Sequence, residues 1–544
     1  ACARLGAKQV ALHDLNIPFD LPRSSDPGEL RTHTERLDDG SRLELTGIVV
    51  LDWKLCVIDV WRMMNACFVE HASEWPLFQK VAEHLRASGI NLLFVNKTRV
   101  THAAYVQQGF PAFSIWEVFE KANALTEGDC RALDAKYGLP GIQGVRNSDL
   151  HLEFLFPGDR MAQARVVAAA YLFWEAFFSE HDIKYVLSRE VATFATRTAR
   201  AVALARGIPA SSITIGPAPD LFLMGDMGKT SMWSELEAYV RAGVFPLTAE
   251  QERGVEAFIA RRLPKGTGPM TMRFIPPKLT DALRQYASLS RYDTAQLRRE
   301  DPVRVAALRY GRYLARKRLA WKYVTRQAFV YDAPGQDEAF VYFPFYSGLE
   351  TGYLTDDHFW ARHEIDLIHE VASSLPVGMK LYVKEHPHNP GDFTYRELRR
   401  IRSHANVRVL HPSVSSQYLL SKSRAVFVLQ GTAGWEAFLS RKPVVSVGTS
   451  FFSYAPLVHR VDRISEVAEV LGRALASDAS YRDRRQEWLW FIHGVITTCF
   501  AGSIVRLAPP YGFVTDEDNA RRIASQVAEK ITRDRAKLDP PGLS

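Results

Sequence analysis

Two stretches of this chain carry residue types suited to handling a phosphate or a sugar. The first is KEHPHNPGD, Lys384 to Asp392, directly after the apolar run LYV. Proline after His386 holds that residue extended and keeps its ring out of a helix. An imidazole fixed there can donate to a phosphate or protonate a leaving oxygen, and Lys384 adds a cation. The bland alternative is a polar strand end in which His386 caps a loop, and for an isolated His-Pro pair that alternative wins. Metal binding by His386 and His388 is weaker still, because the sequence places no third ligand.

The second stretch is QGTAGWE, Gln430 to Glu436, at a strand end and opening a helix. Gly431, Thr432, Ala433 and Gly434 are small, so backbone amides can approach a ligand, and a helix N-terminus favours phosphate. Glu436 lies four residues after Thr432, whereas the capping-box position, three on, is Trp435. Its carboxylate is therefore open to ribose hydroxyls; the competing reading is an ordinary first-turn acid. Between the two stretches, His411-Pro412-Ser413 closes another strand, where loop backbone can meet a base. Three polar strand ends on one edge fit a nucleotide-sized ligand better than three independent turns. A third candidate fails: Gly228-Lys229-Thr230 resembles the end of a P-loop, but the glycine required five positions earlier is Leu223.

These residues need a scaffold, and the C-terminal half supplies a regular one. Strands are expected at 339–345, 380–385, 406–411, 425–430 and 443–448, alternating with helical patterns and followed by a helix at 464–477. Such alternation implies a parallel, doubly wound α/β sheet. In the N-terminal half, 46–53, 90–97, 184–188 and 212–216 read as strands and 191–207 as a helix, giving a second α/β domain. The Pro- and Gly-rich segment 217–300 reads as linkers and irregular structure.

With 544 residues the chain is too long for one core. Its formal charge of +7 comes from 68 basic and 61 acidic residues. Eight of the basic residues, and no acid, fall between Val303 and Phe329. The surplus is local, which argues for one cationic surface and against nucleic-acid binding. Arg309, Arg312 and Arg316 share a helical face there. With the interleaved aromatics they suit anionic lipid headgroups or an anionic, lipid-linked acceptor; a solvated helix between domains is the alternative. Five scattered cysteines without CxxC spacing read as reduced thiols. With no signal-peptide core and no apolar run of membrane-spanning length, the expected location is cytoplasmic, on the inner face of the cytoplasmic membrane if the cationic surface docks there.

The stretch from about 339 to 460, with its strand and polar loop at YFPFYSGLETGYLTDDHFW including Glu350, resembles the capsule polysaccharide biosynthesis family, which includes the Kdo transferases of capsule export. The matching pieces are Lys384, His386 and Pro387; Gly431, Thr432, Gly434, Glu436 and Ala437; Lys442, Pro443 and Val444; and Gly448 with Tyr454. Gly431 departs from the serine usual in that family. The resemblance implies a GT-B-like fold, two Rossmann-like domains facing across a cleft, with no cofactor and no bound metal. On this reading 1–330 form an acceptor-side domain, 331–500 the nucleotide-sugar domain, and 501–544 a C-terminal helix and disordered tail. His386 would act on the donor phosphate. Lys384, Pro387, His411, Ser413, Gln430, Gly431, Thr432, Ala433, Gly434 and Glu436 would bind the donor. Glu190, just before a helix in the N-terminal domain, is the candidate general base, with a dipole-favoured helix acid as its competing reading. The expected partners are a nucleotide-sugar donor, CMP-linked or other, and a glycan or glycolipid acceptor. A CDP-alcohol phosphotransferase of the teichoic-acid type and a non-catalytic polysaccharide-assembly partner are the alternatives.

Overall fold

The computed structural model describes residues 30–36, 42–48, 63–69, 75–97, 99–138, 141–189, 193–218, 220–226, 233–263, 302–345, 364–386, 391–429, 431–447, 450–477, 483–504 and 516–537, with 280, 283 and 287. The chain divides into two units, Ala1–Arg62 and Met63–Ser544. The described part of the first is an antiparallel hairpin of β1 (Leu30–Arg36) and β2 (Arg42–Ile48).

The second unit holds two sheets. One is seven-stranded, built from β3 (Met64–Val69), β4 (Ile90–Asn96), β5 (Ala112–Ser114), β6 (Tyr185–Ser188), β7 (Ala210–Ile215), β8 (Leu221–Asp226) and, far along the chain, Phe500–Ala501. Its spatial order is Phe500–Ala501, β8, β7, β6, β3, β4, β5. From β7 to β5 the pairings are parallel; β8 and Phe500–Ala501 add antiparallel. The chain leaves β3 toward β4 and β5, then returns to the other side of β3 for β6 and β7. The switch point therefore lies between β3 and β6.

The other sheet contains β9 (Phe340–Pro344), β10 (Lys380–Lys384), β11 (Val407–Leu410), β12 (Ala425–Val428), β13 (Val444–Ser446) and β14 (Val458–Arg460). Every pairing is parallel, in the order β11-β10-β9-β12-β13-β14. Apolar cores cover both faces, one around Tyr342, Val426 and Trp435, the other around Phe343, Leu381 and Phe427. Burial on both faces explains why these strands read as continuous apolar runs. Each Val, Leu or Phe so buried contributes roughly 1.5–3 kcal/mol. The crossover helices begin at legible caps: the Thr394 hydroxyl accepts the Glu397 amide while Glu397 accepts the Thr394 amide, and Ser415 accepts the Tyr418 amide.

This is the GT-B-like architecture expected, two Rossmann-like sheets in one chain. The segment 217–300, however, is not wholly irregular. Leu221–Asp226 is a strand, and helices Ser234–Arg241 and Ala249–Arg262 pack against the second sheet's core through Leu236, Val255 and Phe258. The local Pro and Gly content hid them, although Thr248 and Gln251 form a readable capping box. The last helix, Glu517–Ala536, returns to the first sheet, where Tyr185 donates to Asp534 at 2.8 Å and His84 lies 2.7 Å from Glu517. Among the described residues no helix is long and apolar enough to cross a membrane.

Candidate active site

The second sheet switches direction between β9 and β12, and the sequence features flank that point. Lys384 ends β10 level with Pro344 of β9 and Leu410 of β11. Gly431 follows β12 on the other side of β9. The two features are thus separated by two inter-strand spacings, about 10 Å, at the carboxyl edge where open α/β sheets bind ligands.

On the β10 side Lys384 is 2% exposed and its Nζ donates to the Pro412 carbonyl at 3.4 Å. Burial pushes its pKa down to about 8. His386, two residues further, is exposed, while Glu385 between them is 1% exposed. Glu385 Oε1 accepts the amides of Gly391 at 3.2 Å and Phe393 at 3.1 Å. Burial raises its carboxyl to about 7, helped by Asp392 and opposed by those amides and Lys317. Pro387 and His388 lie outside the described residues.

His411 and Ser413 extend this side rather than meeting Gly431, because β11 is the outer neighbour of β10. The Ser413 amide donates to His411 Nδ1 at 3.2 Å and its hydroxyl lies 2.7 Å from the same nitrogen. The neutral ring therefore carries its proton on Nε2. Burial, then Arg326 and Lys384, lower the His411 pKa.

On the β12 side Gly431 caps the helix Thr432–Leu439 with φ 98° and ψ 170°. That backbone is essentially restricted to glycine, which explains why serine is not found here. Gly431 supplies no side-chain cap, so the first-turn amides of Thr432 and Ala433 face outward from the helix start. The Gly434 amide is already directed to Gly431 O at 3.3 Å. Gly434 has a packing reason as well: a Cβ there would come within 2.6 Å of the Phe452 ring. Glu436 is half-buried; its Oε2 accepts Gln417 Nε2–H at 2.9 Å. Burial raises its pKa against the opposing pull of Arg262 and Gln417. Gln430 lies outside the described residues.

The cationic segment forms the helix Pro302–Ala320, continued by a π-helical turn, Trp321–Thr325. It is built into the protein more than the sequence suggested. Arg309 donates to the carbonyls of Phe154 and Leu155 at 2.8 and 3.1 Å, and Tyr310 and Tyr313 pack on Phe154. Arg312 is half-buried and Arg316 exposed. Trp321 is fully buried, and its Nε1–H donates to Tyr331 at 3.1 Å. The Tyr331 ring meets His411 edge-on at 5.0 Å.

The first sheet presents its own polar strand ends on either side of β3. Asn96 ends β4 and Lys97 follows it; Ser188 ends β6 and Arg189 follows it; all four are buried. Asp149, also buried, accepts the Phe194 amide at 2.6 Å at the start of the helix Phe194–Ala205. Glu190 falls between these elements, outside the described residues. Glu385, Gln417, Lys97 and Asp149 carried no weight in the sequence reading, and Lys317 and Trp321 entered it only as members of the cationic, aromatic-rich segment. Only Glu385 had a local signal, an acid continuing a buried strand.

Residues 354–465 match the family of capsule polysaccharide biosynthesis proteins. The match contains Lys384, His386, Gly431 and Glu436, so the resemblance read from the sequence holds over the segment that carries the candidate site. Comparison with curated protein sequences gives no match. Among solved structures, the UDP-GlcNAc 2-epimerase of Methanocaldococcus jannaschii aligns at 9% identity over 86% of this chain and 100% of its own, with a TM-score of 0.26. The beta Kdo 2,7 transferase KpsC of Thermosulfurimonas dismutans aligns at 13% identity over 55% and 79%, with a TM-score of 0.27. MurG of Acinetobacter baumannii aligns at 9% identity over 86% and 99%, also at 0.27. Likeness at that level carries no argument for function.

Proposed function

We propose that the protein is a glycosyltransferase that moves a sugar from a nucleotide donor to a capsular or other surface polysaccharide, or to its lipid-linked acceptor. The observation that supports this best is the pairing at the switch point: a buried lysine and an exposed histidine on one side of β9, a glycine-initiated helix N-terminus on the other. Together they suit a ligand whose phosphate carries the leaving charge.

In this reading His386 meets the donor phosphate and donates to its oxygen as the glycosidic bond breaks. Lys384 adds positive charge from below, and the Thr432 and Ala433 amides hold phosphate. Glu436, oriented by Gln417, accepts ribose or sugar hydroxyls. The acceptor approaches from the side of the first sheet, with Glu190 as the general base. Arg316 and neighbouring cations attract an anionic acceptor or the inner face of the membrane, and the protein works in the cytoplasm. The donor proposed first is Kdo carried by CMP, on the resemblance of the Lys384–Tyr454 motifs to the family that includes the Kdo transferases.

Incubation with labelled CMP-Kdo, with UDP-GlcNAc and with CDP-glycerol, each with a capsular acceptor, tests the reading. Transfer of a sugar with release of its nucleotide is expected. Transfer of phosphoglycerol would replace the reading with the phosphotransferase one. Nucleotide binding without any turnover would make the protein an assembly partner.

A further inference from the structure

Glu385 stands between Lys384 and His386, the two residues of its motif proposed above to meet phosphate, yet it is only 1% exposed. Placing a carboxylate there is costly unless it is hydrogen-bonded, and an apolar side chain would fill the same space more cheaply. Its contacts supply a reason. The two amides that it accepts, Gly391 and Phe393, belong to the chain returning from His386. One oxygen thus ties that return to the end of β10.

The same return segment is pressed against the basic helix. Gly391 has φ +95°, and a Cβ there would come within 2.9 Å of Lys317 O and of Trp321 Cβ. Next to it, Asp392 Oδ1 lies 3.5 Å from Lys317 Nζ. The titratable groups facing Glu385 are accordingly Lys317 from the helix, Asp392 from the return segment and Tyr331 from the stretch that follows the basic helix.

We propose that Glu385 is a positioning residue for the transfer: by holding the Gly391 and Phe393 amides at the end of β10 it fixes where His386 stands, and it makes that placement depend on the helix Pro302–Ala320. The inference rests on the reading of His386 as the group that meets the donor phosphate. It adds a second layer to that reading: the cationic helix shapes the donor site as well as the surface.

A double-mutant cycle separates the two. Glu385→Ala should lower kcat at least ten-fold, and Glu385→Gln, which keeps an acceptor oxygen, should retain at least half of wild-type kcat. Combining Glu385→Ala with His386→Ala should cost nothing beyond His386→Ala alone, because Glu385 acts through that histidine. Hydrogen exchange at the Gly391 and Phe393 amides should speed up in Glu385→Ala and not in His386→Ala. If Glu385→Ala does not fold, Glu385→Met, which fills the space without an acceptor, takes its place in the cycle. Wild-type turnover in the acceptor-free variant, or losses that add to those of His386→Ala, overturns the inference. Full activity in His386→Ala instead overturns the underlying reading of the histidine.

Discussion

Lys317 Nζ lies 3.5 Å from Asp392 Oδ1 and 4.9 Å over the Tyr313 ring, joining the basic helix to the chain that returns from His386. Near the helix's other end Arg309 closes the carbonyl end of the helix Leu150–Leu155, beside the first sheet's helices. A single helix therefore touches elements of both sheets, and a cation counted as surface charge in the sequence is a fastening in the fold.

Replacing that fastening should alter donor binding more than folding. Lys317→Met is expected to raise the donor KM several-fold while kcat changes by less than about two-fold, since the pair is partly exposed and worth at most about 1 kcal/mol. Steady-state kinetics with Lys317→Met, Asp392→Asn and the double variant test it. A kcat loss with unchanged KM would place the pair in the chemistry and contradict this account.

Lys384 gives the site a pH limit. Its folded pKa of about 8 is below the ordinary 10.5, so burial disfavours the ammonium, and the neutral form adds stability as pH rises through 8. Phosphate needs the ammonium. Nucleotide affinity should fall about ten-fold between pH 7 and pH 9, if only the charged form binds. Isothermal titration at both values checks this, with Lys384→Met expected to bind weakly and without that slope. An equal slope in the methionine variant would assign the titration elsewhere.

Glu385 has the opposite sign. Its folded pKa, raised from 4.5 to about 7, means that the stability it contributes is complete below the unfolded value and is lost as pH rises through 7. Glu385→Gln removes the cost of burying the charge. The variant should exceed wild type by on the order of 3 kcal/mol at pH 8, and by under about 1 kcal/mol at pH 5. Urea unfolding at the two pH values measures the difference. A gap that does not widen with pH would mean that the carboxylate is better solvated than its 1% exposure indicates.

His386 and Glu436 carry the proposed chemistry from separate elements, the end of β10 and the helix after β12. His386→Ala and Glu436→Ala should each slow transfer by roughly 100-fold or more, to a residual rate that can still be measured, while leaving the melting temperature within a few degrees of wild type. His386 is exposed and Glu436 only half-buried, so neither truncation opens a core cavity. Turnover at the wild-type rate in both would remove the site assignment.

The parts of this site that were legible in the sequence are those made by neighbours along the chain. β9, β10, β11, β12 and β13 fall within the runs expected, because short stretches buried on both faces leave an apolar signature. The strand Met64–Val69 escaped notice: MNACFV has neither alternation nor a flanking turn signal, and only its pairing between β4 and β6 defines it. The site divides in the same way. A strand end followed by His-Pro, and a glycine-rich helix start, are local patterns. That His411 belongs with Lys384 rather than with Gly431 depends on strand order, which no local pattern encodes. The fastening of Gly391 by Trp321 is likewise a contact between distant segments.

Gly431 offers a test of the helix start that is independent of any substrate. At φ 98° and ψ 170° a side chain is strained whatever space surrounds it, at roughly 1–3 kcal/mol. Gly431→Ser would add the hydroxyl usual at this position in the resembling family, but on a backbone that resists it. The chain can relieve the strain by rotating the Gly431–Thr432 peptide, and the amides of Thr432 and Ala433 would turn with it. Gly431→Ser is therefore expected to lose stability by roughly 1–3 kcal/mol in urea unfolding and also to weaken nucleotide binding, whereas Gly434→Ala, blocked by the Phe452 ring, should lose comparable stability through overpacking. Binding per folded molecule distinguishes them: it should fall in Gly431→Ser and stay near wild type in Gly434→Ala, whose amide is already directed to Gly431 O. Equal binding losses in the two variants would mean that the helix start is a packing element and that phosphate is held elsewhere.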